Sequence, residues 1–150
     1  LGGALTAEYS LLAWTDRPMP IQLCLCDVWH DHILYTDSEV TGVIDFGAVK
    51  PDCVAIDLAR LLGSMIPDDA DRMQRALAVY AAARPVDRSV YEIVPVLDRA
   101  GTVVGLTNWL RWLYLERRPY ADPFQVGRRM DALLKRVEMK RPANSLPWAG

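Results

Sequence analysis

No run of about 18 apolar residues free of charge occurs in this chain, so no membrane-spanning helix is expected. A Walker A pattern is missing, and so is any glycine-rich loop that would cradle nucleotide phosphates. The stretch Leu1-Gly2-Gly3 has no basic region and no signal-peptide character. Basic residues are not in excess: 17 Lys and Arg stand against 19 Asp and Glu, a net charge of −2, which argues against a nucleic-acid partner. The three cysteines, an odd number, fit reduced thiols in a cytoplasmic protein better than a disulfide framework. Repeats, low-complexity segments and linkers are absent. What the chain has is apolar content, 51% of its 150 residues, enough for one domain with its own core.

The chemistry concentrates between residues 25 and 47. Two apolar segments of β type, Ile33 to Tyr35 and Val40 to Ile44, flank the polar turn Thr36-Asp37-Ser38-Glu39. That pattern predicts a short hairpin. Asp27 lies in the loop entering the hairpin and Asp45 follows its second strand directly. A tight hairpin returns the chain on itself, so both carboxylates and His32 are expected at one end of it. An acid-rich pocket beside an apolar hairpin suits a divalent cation and a phosphate-bearing ligand.

Residues 20–63 resemble the catalytic segment of the aminoglycoside phosphotransferase and choline kinase-like superfamily, the small-molecule relatives of protein kinases. In that family the loop reads H-G-D-x-x-x-x-N and a D-F-G motif follows one hairpin later. Asp27 stands at the loop Asp, Asp45-Phe46-Gly47 matches the metal motif literally, and the gap between the acids is the family's own. Leu25 and Cys26 replace the family's His and Gly, and His32 replaces its Asn. The resemblance implies an α+β, predominantly helical fold: a protein kinase-like C-lobe with a short catalytic β-hairpin followed by a helical bundle. It implies ATP and Mg2+ as cofactors and a small-molecule acceptor. Asp27 would be the catalytic residue that orients or deprotonates the acceptor hydroxyl. Asp45 would hold magnesium against the nucleotide phosphates, with His32 filling the second metal and cofactor-binding position or leaving it to water. Asp57, in Ile56-Asp57-Leu58-Ala59, matches the family's D-L-A acid, which braces the catalytic loop through backbone amides; Arg60 is its alternative partner.

Kinase-like folds hold ATP between a β-rich N-lobe and a helical C-lobe. The stretch before Asp27 is too short for an N-lobe, so residues 1–150 are expected to be a single C-lobe domain, a piece of a longer protein. Such a piece would need the missing N-lobe of the same protein as its partner and would be inactive alone. The reading from another class is a non-catalytic kinase-like module that binds a ligand or partner. The replaced His and Asn favour that alternative, while Asp27 and Asp45 oppose it.

Further along the chain, residues 4–14 have helical spacing, broken by Asp16-Arg17-Pro18-Met19-Pro20, and Ile21 to Leu25 predicts a short strand. Asp52 reads as the N-cap of a helix from about Cys53 to Ser64, and Asp68-Asp69-Ala70-Asp71 opens another through about Ala83. A helix from Ser89 is expected to kink at Pro95, or to break there into two short helices, and to stop at Gly101. Residues 103–117, apolar nearly all round, predict the central helix of the lobe. Asp122-Pro123 opens a last helix through about Lys140, and Asn144 to Gly150 reads as a frayed tail. Trp109, Trp112 and Tyr114 either line a substrate pocket or pack in the core. Asp68, Asp69 and Asp71 cap a helix or attract a cationic acceptor such as an aminoglycoside. Finally, Cys24, Cys26, His30 and His32 spell C-x-C-x3-H-x-H, either a tetrahedral zinc site or small buried thiols beside two imidazoles.

Overall fold

Pro18 and Pro20 keep the chain out of a helix as it enters β1 (Ile21–Cys24), the first element of the computed structural model, which describes residues 13–138. Most of the expected first helix and the whole expected tail lie outside those residues. Strand β1 pairs antiparallel with β4 (Lys50–Cys53), Ile21 opposite Cys53 and Cys24 opposite Lys50. Between them the chain makes the expected hairpin, β2 (Ile33–Thr36) against β3 (Glu39–Val43), with Ile33 opposite Val43. Asp37 turns the corner at φ 53°, a left-handed conformation that Asp tolerates better than most residues. Beyond β3, the Ile44 amide donates to the His32 carbonyl at 3.0 Å and carries the pairing to the edge of Asp45.

Four α-helices follow: α1 (Val54–Met65), α2 (Ala70–Ala83), α3 (Arg88–Leu110) and α4 (Pro123–Glu138). Asp69 caps α2 by accepting from the Arg72 amide at 2.9 Å. Asp122 caps α4, accepting from the Phe124 and Gln125 amides at 3.0 Å each. Asp52 does not cap α1; β4 claims it, and its Oδ1 accepts from the Cys53 amide at 2.8 Å. The stop at Gly101 is also absent, because α3 runs unbroken through Pro95 and Gly101 and then widens into a π-helical turn, Arg111–Leu115. Among the described residues no glycine takes the positive φ that ends a helix in a left-handed cap. Thr102 next to it is buried and its hydroxyl donates back to the Asp98 carbonyl at 2.9 Å, which fits a continued helix.

The core joins β1, β4 and three helices through Cys24, Cys53, Ala55, Leu58, Leu77, Val90 and Val94. The central element is α1, packed on α3, β1, α2 and β4. Residues 103–117 do not hold that place: Val104 is 57% and Leu115 79% exposed. Burial pushes the Cys24 thiol from its ordinary 9.0 up to about 11, so it stays protonated as a small apolar group. Gly63 is required where α1 meets α3, because a side chain there would collide with the Asp98 carboxylate. Asp98 accepts two N–H groups from Arg136 of α4 at 2.9 and 2.7 Å. Burial raises its carboxyl above the usual carboxylate range, against the opposing pull of Arg136.

The result is α+β and predominantly helical, the arrangement of a kinase-like C-lobe. Ile21, Leu23, Tyr35, Val40 and Phe46, on β1, the hairpin and the segment after it, are 50% to 73% exposed. No described helix is long and apolar enough to cross a membrane.

Candidate active site

One face of α1 clasps the loop after β1 in register. Asp57 accepts from the Leu25 amide at 2.8 Å with Oδ2 and from the Cys26 amide at 2.7 Å with Oδ1. One turn on, the Arg60 guanidinium donates to the Asp27 carboxylate. One turn further, Ser64 Oγ accepts from the His30 amide at 2.9 Å while donating to the Leu61 carbonyl at 2.7 Å. Positions i, i+3 and i+7 of a helix share a face, so a single rigid element fixes Leu25, Cys26, Asp27 and His30 together. Arg60 pairs with Asp27, not with Asp57.

The loop bends sharply at Cys26, whose φ is 61°. That region costs a residue with a Cβ roughly 1–2 kcal/mol and costs glycine almost nothing. Cys26 therefore stands, under strain, where the family places Gly. Cys26→Gly should raise stability by about 0.5–1 kcal/mol after the larger unfolded-state entropy of glycine is subtracted. Chemical denaturation checks this; a midpoint that falls would show that Cys26 packing outweighs the backbone relief.

Beyond Val28, which is buried, the turn His30–His32 brings His32 back under Trp29. The Trp29 indole N–H donates to His32 Nε2 at 2.6 Å, and the same Nε2 lies 3.7 Å from Asp45 Oδ2. His32 and Asp45 thus meet at the open end of the hairpin. Asp45 holds a left-handed φ of 65°, and its Oδ1 has a long contact of 3.4 Å from the Gly47 amide. Its side chain is 57% exposed, so lone pairs on a hard oxygen donor remain available, as a magnesium ion requires. The donor set at Asp45 fits that ion. His32 fits less well here, because its Nε2 lone pair is engaged by Trp29 and its Nδ1 is buried without a partner among the described residues.

The zinc pattern does not assemble. Cys24 is buried and its thiol donates to the Asp52 carbonyl at 3.2 Å, while His30 lies 3.1 Å from Asp31. Among the described residues no three His, Cys, Asp or Glu side chains converge on one point.

Beside Asp27 a cleft of about 530 Å³ opens among α1, α3 and α4, with Trp29, Arg60, Asp98, Trp109, Trp112 and Arg129 in its wall. Trp109 and Trp112 meet edge to face at 5.4 Å, and Tyr114, 69% exposed, takes no part. Asp68, Asp69 and Asp71 are not in its wall: Asp69 caps α2 and Asp68 sits 3.6 Å from Arg136. Sequence reasoning missed Trp29 and Arg129 and left Arg60 undecided. For Arg60 the signal was its i+3 spacing from Asp57; for Arg129 there was none, since its aromatic partners come from distant segments.

An acid held in a clasped loop, an Asp-Phe-Gly one hairpin later, and a cleft opening on the first acid together define a kinase-like phosphotransferase lobe. The chain belongs to the phosphotransferase enzyme family, whose sequence model matches residues 3–93. It is similar to a homoserine kinase of Chelativorans sp. (strain BNC1), 28% identical over 141 residues that cover 87% of this chain and 44% of that protein. Homoserine kinases of Methylobacterium sp. (strain 4-46), 31% identical over 107 residues (67% and 33% covered), and Methylocella silvestris, 29% identical over 130 residues (82% and 40% covered), are similar too. The chain spans less than half the length of these relatives.

Proposed function

We propose that this lobe belongs to an enzyme that transfers the γ-phosphoryl group of ATP to the hydroxyl of a small amino-acid acceptor, with homoserine as the first candidate. The observation that carries the reading is Asp27, clasped by α1 at the edge of the Trp-walled cleft. The acceptor oxygen forms a bond to the γ-phosphorus, the bond from that phosphorus to the bridging oxygen breaks, and ADP departs. Asp27 takes the hydroxyl proton. Magnesium, when bound, neutralises charge on the phosphates; Asp45 would hold it. His32, its Nε2 engaged by Trp29, would leave the second metal position to water. Asp57 keeps the loop in register through its two amide bonds. Alignment and fixed charge supply most of the acceleration.

In this reading an N-lobe of the same protein covers the exposed apolar residues of β1 and the hairpin, and ATP lies between the two lobes. The lobe alone would then be inactive. Free thiols at Cys24, Cys26 and Cys53 support a reducing, cytoplasmic setting. An aminoglycoside is a poor match, because the two acids lining the cleft, Asp27 and Asp98, are each already paired with an arginine, and Arg129 adds a further cation to the wall.

The test is an assay of the intact protein with ATP, magnesium and homoserine, followed by 31P NMR. Magnesium-dependent formation of a phosphate ester on the homoserine hydroxyl is expected, with no product from an aminoglycoside. Magnesium-dependent ATP binding without acceptor turnover on a panel of hydroxylated amino acids would leave a non-catalytic binding module instead.

A further inference from the structure

The three arginines lining the cleft differ in what holds them. Arg60 is paired with Asp27, and Arg136 is paired with Asp98 and approaches Asp68 at 3.6 Å. Arg129 has no hydrogen bond or ion pair to any acid among the described residues. Its guanidinium instead lies over the Trp29 ring at 4.1 Å and reaches the Trp109 ring at 5.8 Å. Both rings are themselves fixed, Trp29 by its bond to His32 at 2.6 Å and Trp109 by contacts with Trp112 at 5.4 Å and Tyr120 at 5.3 Å. A guanidinium held over aromatic rings keeps its position while its N–H edge stays available for a planar anion. A further donor is unspent in the same wall: the Trp112 indole N–H is buried and has no partner among the described residues. The wall therefore carries unspent donors and one arginine without an acid partner among the described residues, in the same cleft as a carboxylate suited to take a hydroxyl proton.

We infer that Arg129 is the specificity-determining residue of the cleft, anchoring the carboxylate of an acceptor whose hydroxyl faces Asp27. The inference rests on the phosphotransferase reading for the hydroxyl end; the carboxylate end rests on the charge pattern of the cleft alone. A planar carboxylate matches the guanidinium fork in two parallel bonds, which an amide of the same shape cannot do with equal strength. Such an anchor discriminates by charge, so acceptors lacking the carboxylate are rejected even when their hydroxyl fits.

The experiment compares binding of L-homoserine and L-homoserine amide to the intact protein by calorimetry, for the wild type and for Arg129→Gln and Arg129→Lys. The wild type should bind the acid roughly 10- to 100-fold tighter than the amide, the loss expected for one charge-assisted pair. Arg129→Gln should bind both equally weakly, Arg129→Lys should recover part of the preference, and the KM for ATP should stay unchanged in each. Equal binding of acid and amide to the wild type, a preference kept in Arg129→Gln, or no binding of homoserine at all would overturn the inference. So would an effect confined to ATP, which would assign Arg129 to the nucleotide. The two readings fail separately. An Arg129-dependent preference without phosphate transfer removes the enzyme and keeps the anchor, whereas homoserine phosphorylation that Arg129→Gln leaves untouched keeps the enzyme and removes the anchor. The comparison within the wild type needs no variant, so a variant that does not fold leaves the inference testable.

Discussion

Asp27→Asn in the intact protein should lower kcat by roughly 10²–10⁴-fold, the range that removal of a general base produces. The amide has the size of the carboxylate and its oxygen can still accept from Arg60, so the loop keeps its shape while the proton acceptor is gone. The Asp27 and Arg60 side chains are 51% and 44% exposed, so their ion pair adds little to stability. Unfolding of Asp27→Asn should therefore track the wild type, with a change within about 1 kcal/mol. The KM for ATP should hold as well, because in the proposed mechanism Asp27 acts on the acceptor and Asp45 on the nucleotide's metal. Steady-state kinetics beside a denaturation curve separate these quantities. A variant that keeps a third or more of the wild-type kcat would remove Asp27 from the proton transfer. A variant that loses activity together with stability would show that Arg60 pairing, not proton transfer, is what the loop needs from this residue.

The hairpin and its acids were legible because short-range rules fix them. Alternating apolar residues on either side of Thr36-Asp37-Ser38-Glu39 leave few ways to fold, and Asp45 sits one residue past the pairing. The aspartate caps of α2 and α4 were legible for the same reason, since a cap binds amides two or three residues away. The course of α3 was not. Gly101 and Pro95 weaken a helix locally, but packing on α1 and α4 decides the outcome, and packing is not written in a window of ten residues. The charge pairing in the cleft was illegible for a related reason. Asp27 with Arg60, Asp98 with Arg136, and Arg129 with Trp29 and Trp109 each join residues that only the tertiary fold brings together. The cluster Asp68, Asp69 and Asp71 left capping and a cationic acceptor open; the fold gives Asp69 to a helix cap and sets Asp68 beside Arg136.

Asp57→Ala should be the costliest single change in the loop for stability. Its carboxylate accepts two backbone amides, Leu25 at 2.8 Å and Cys26 at 2.7 Å, in a partly buried setting. Without it both donors lose their partner, at roughly 1–3 kcal/mol each where water cannot replace it. A total near 3 kcal/mol corresponds to a fall of about 6–12 °C in the melting transition of a lobe of this size. Cys26 bears on the same point, because its left-handed φ of 61° is held in part by the second of these bonds. Released, the backbone would relax toward negative φ and carry Asp27, the next residue, away from the cleft. Asp57→Ala should therefore lose activity together with stability, whereas Asp27→Asn should lose activity alone. Asp57→Asn, which keeps one accepting oxygen, should fall between Ala and the wild type in both. Combining Asp57→Ala with Cys26→Gly offers a sharper check: glycine removes the strain but not the missing acceptor, so stability should recover by no more than about 1 kcal/mol. Full recovery in the double variant would mean that backbone strain at Cys26, not amide satisfaction, is what Asp57 supplies to the loop.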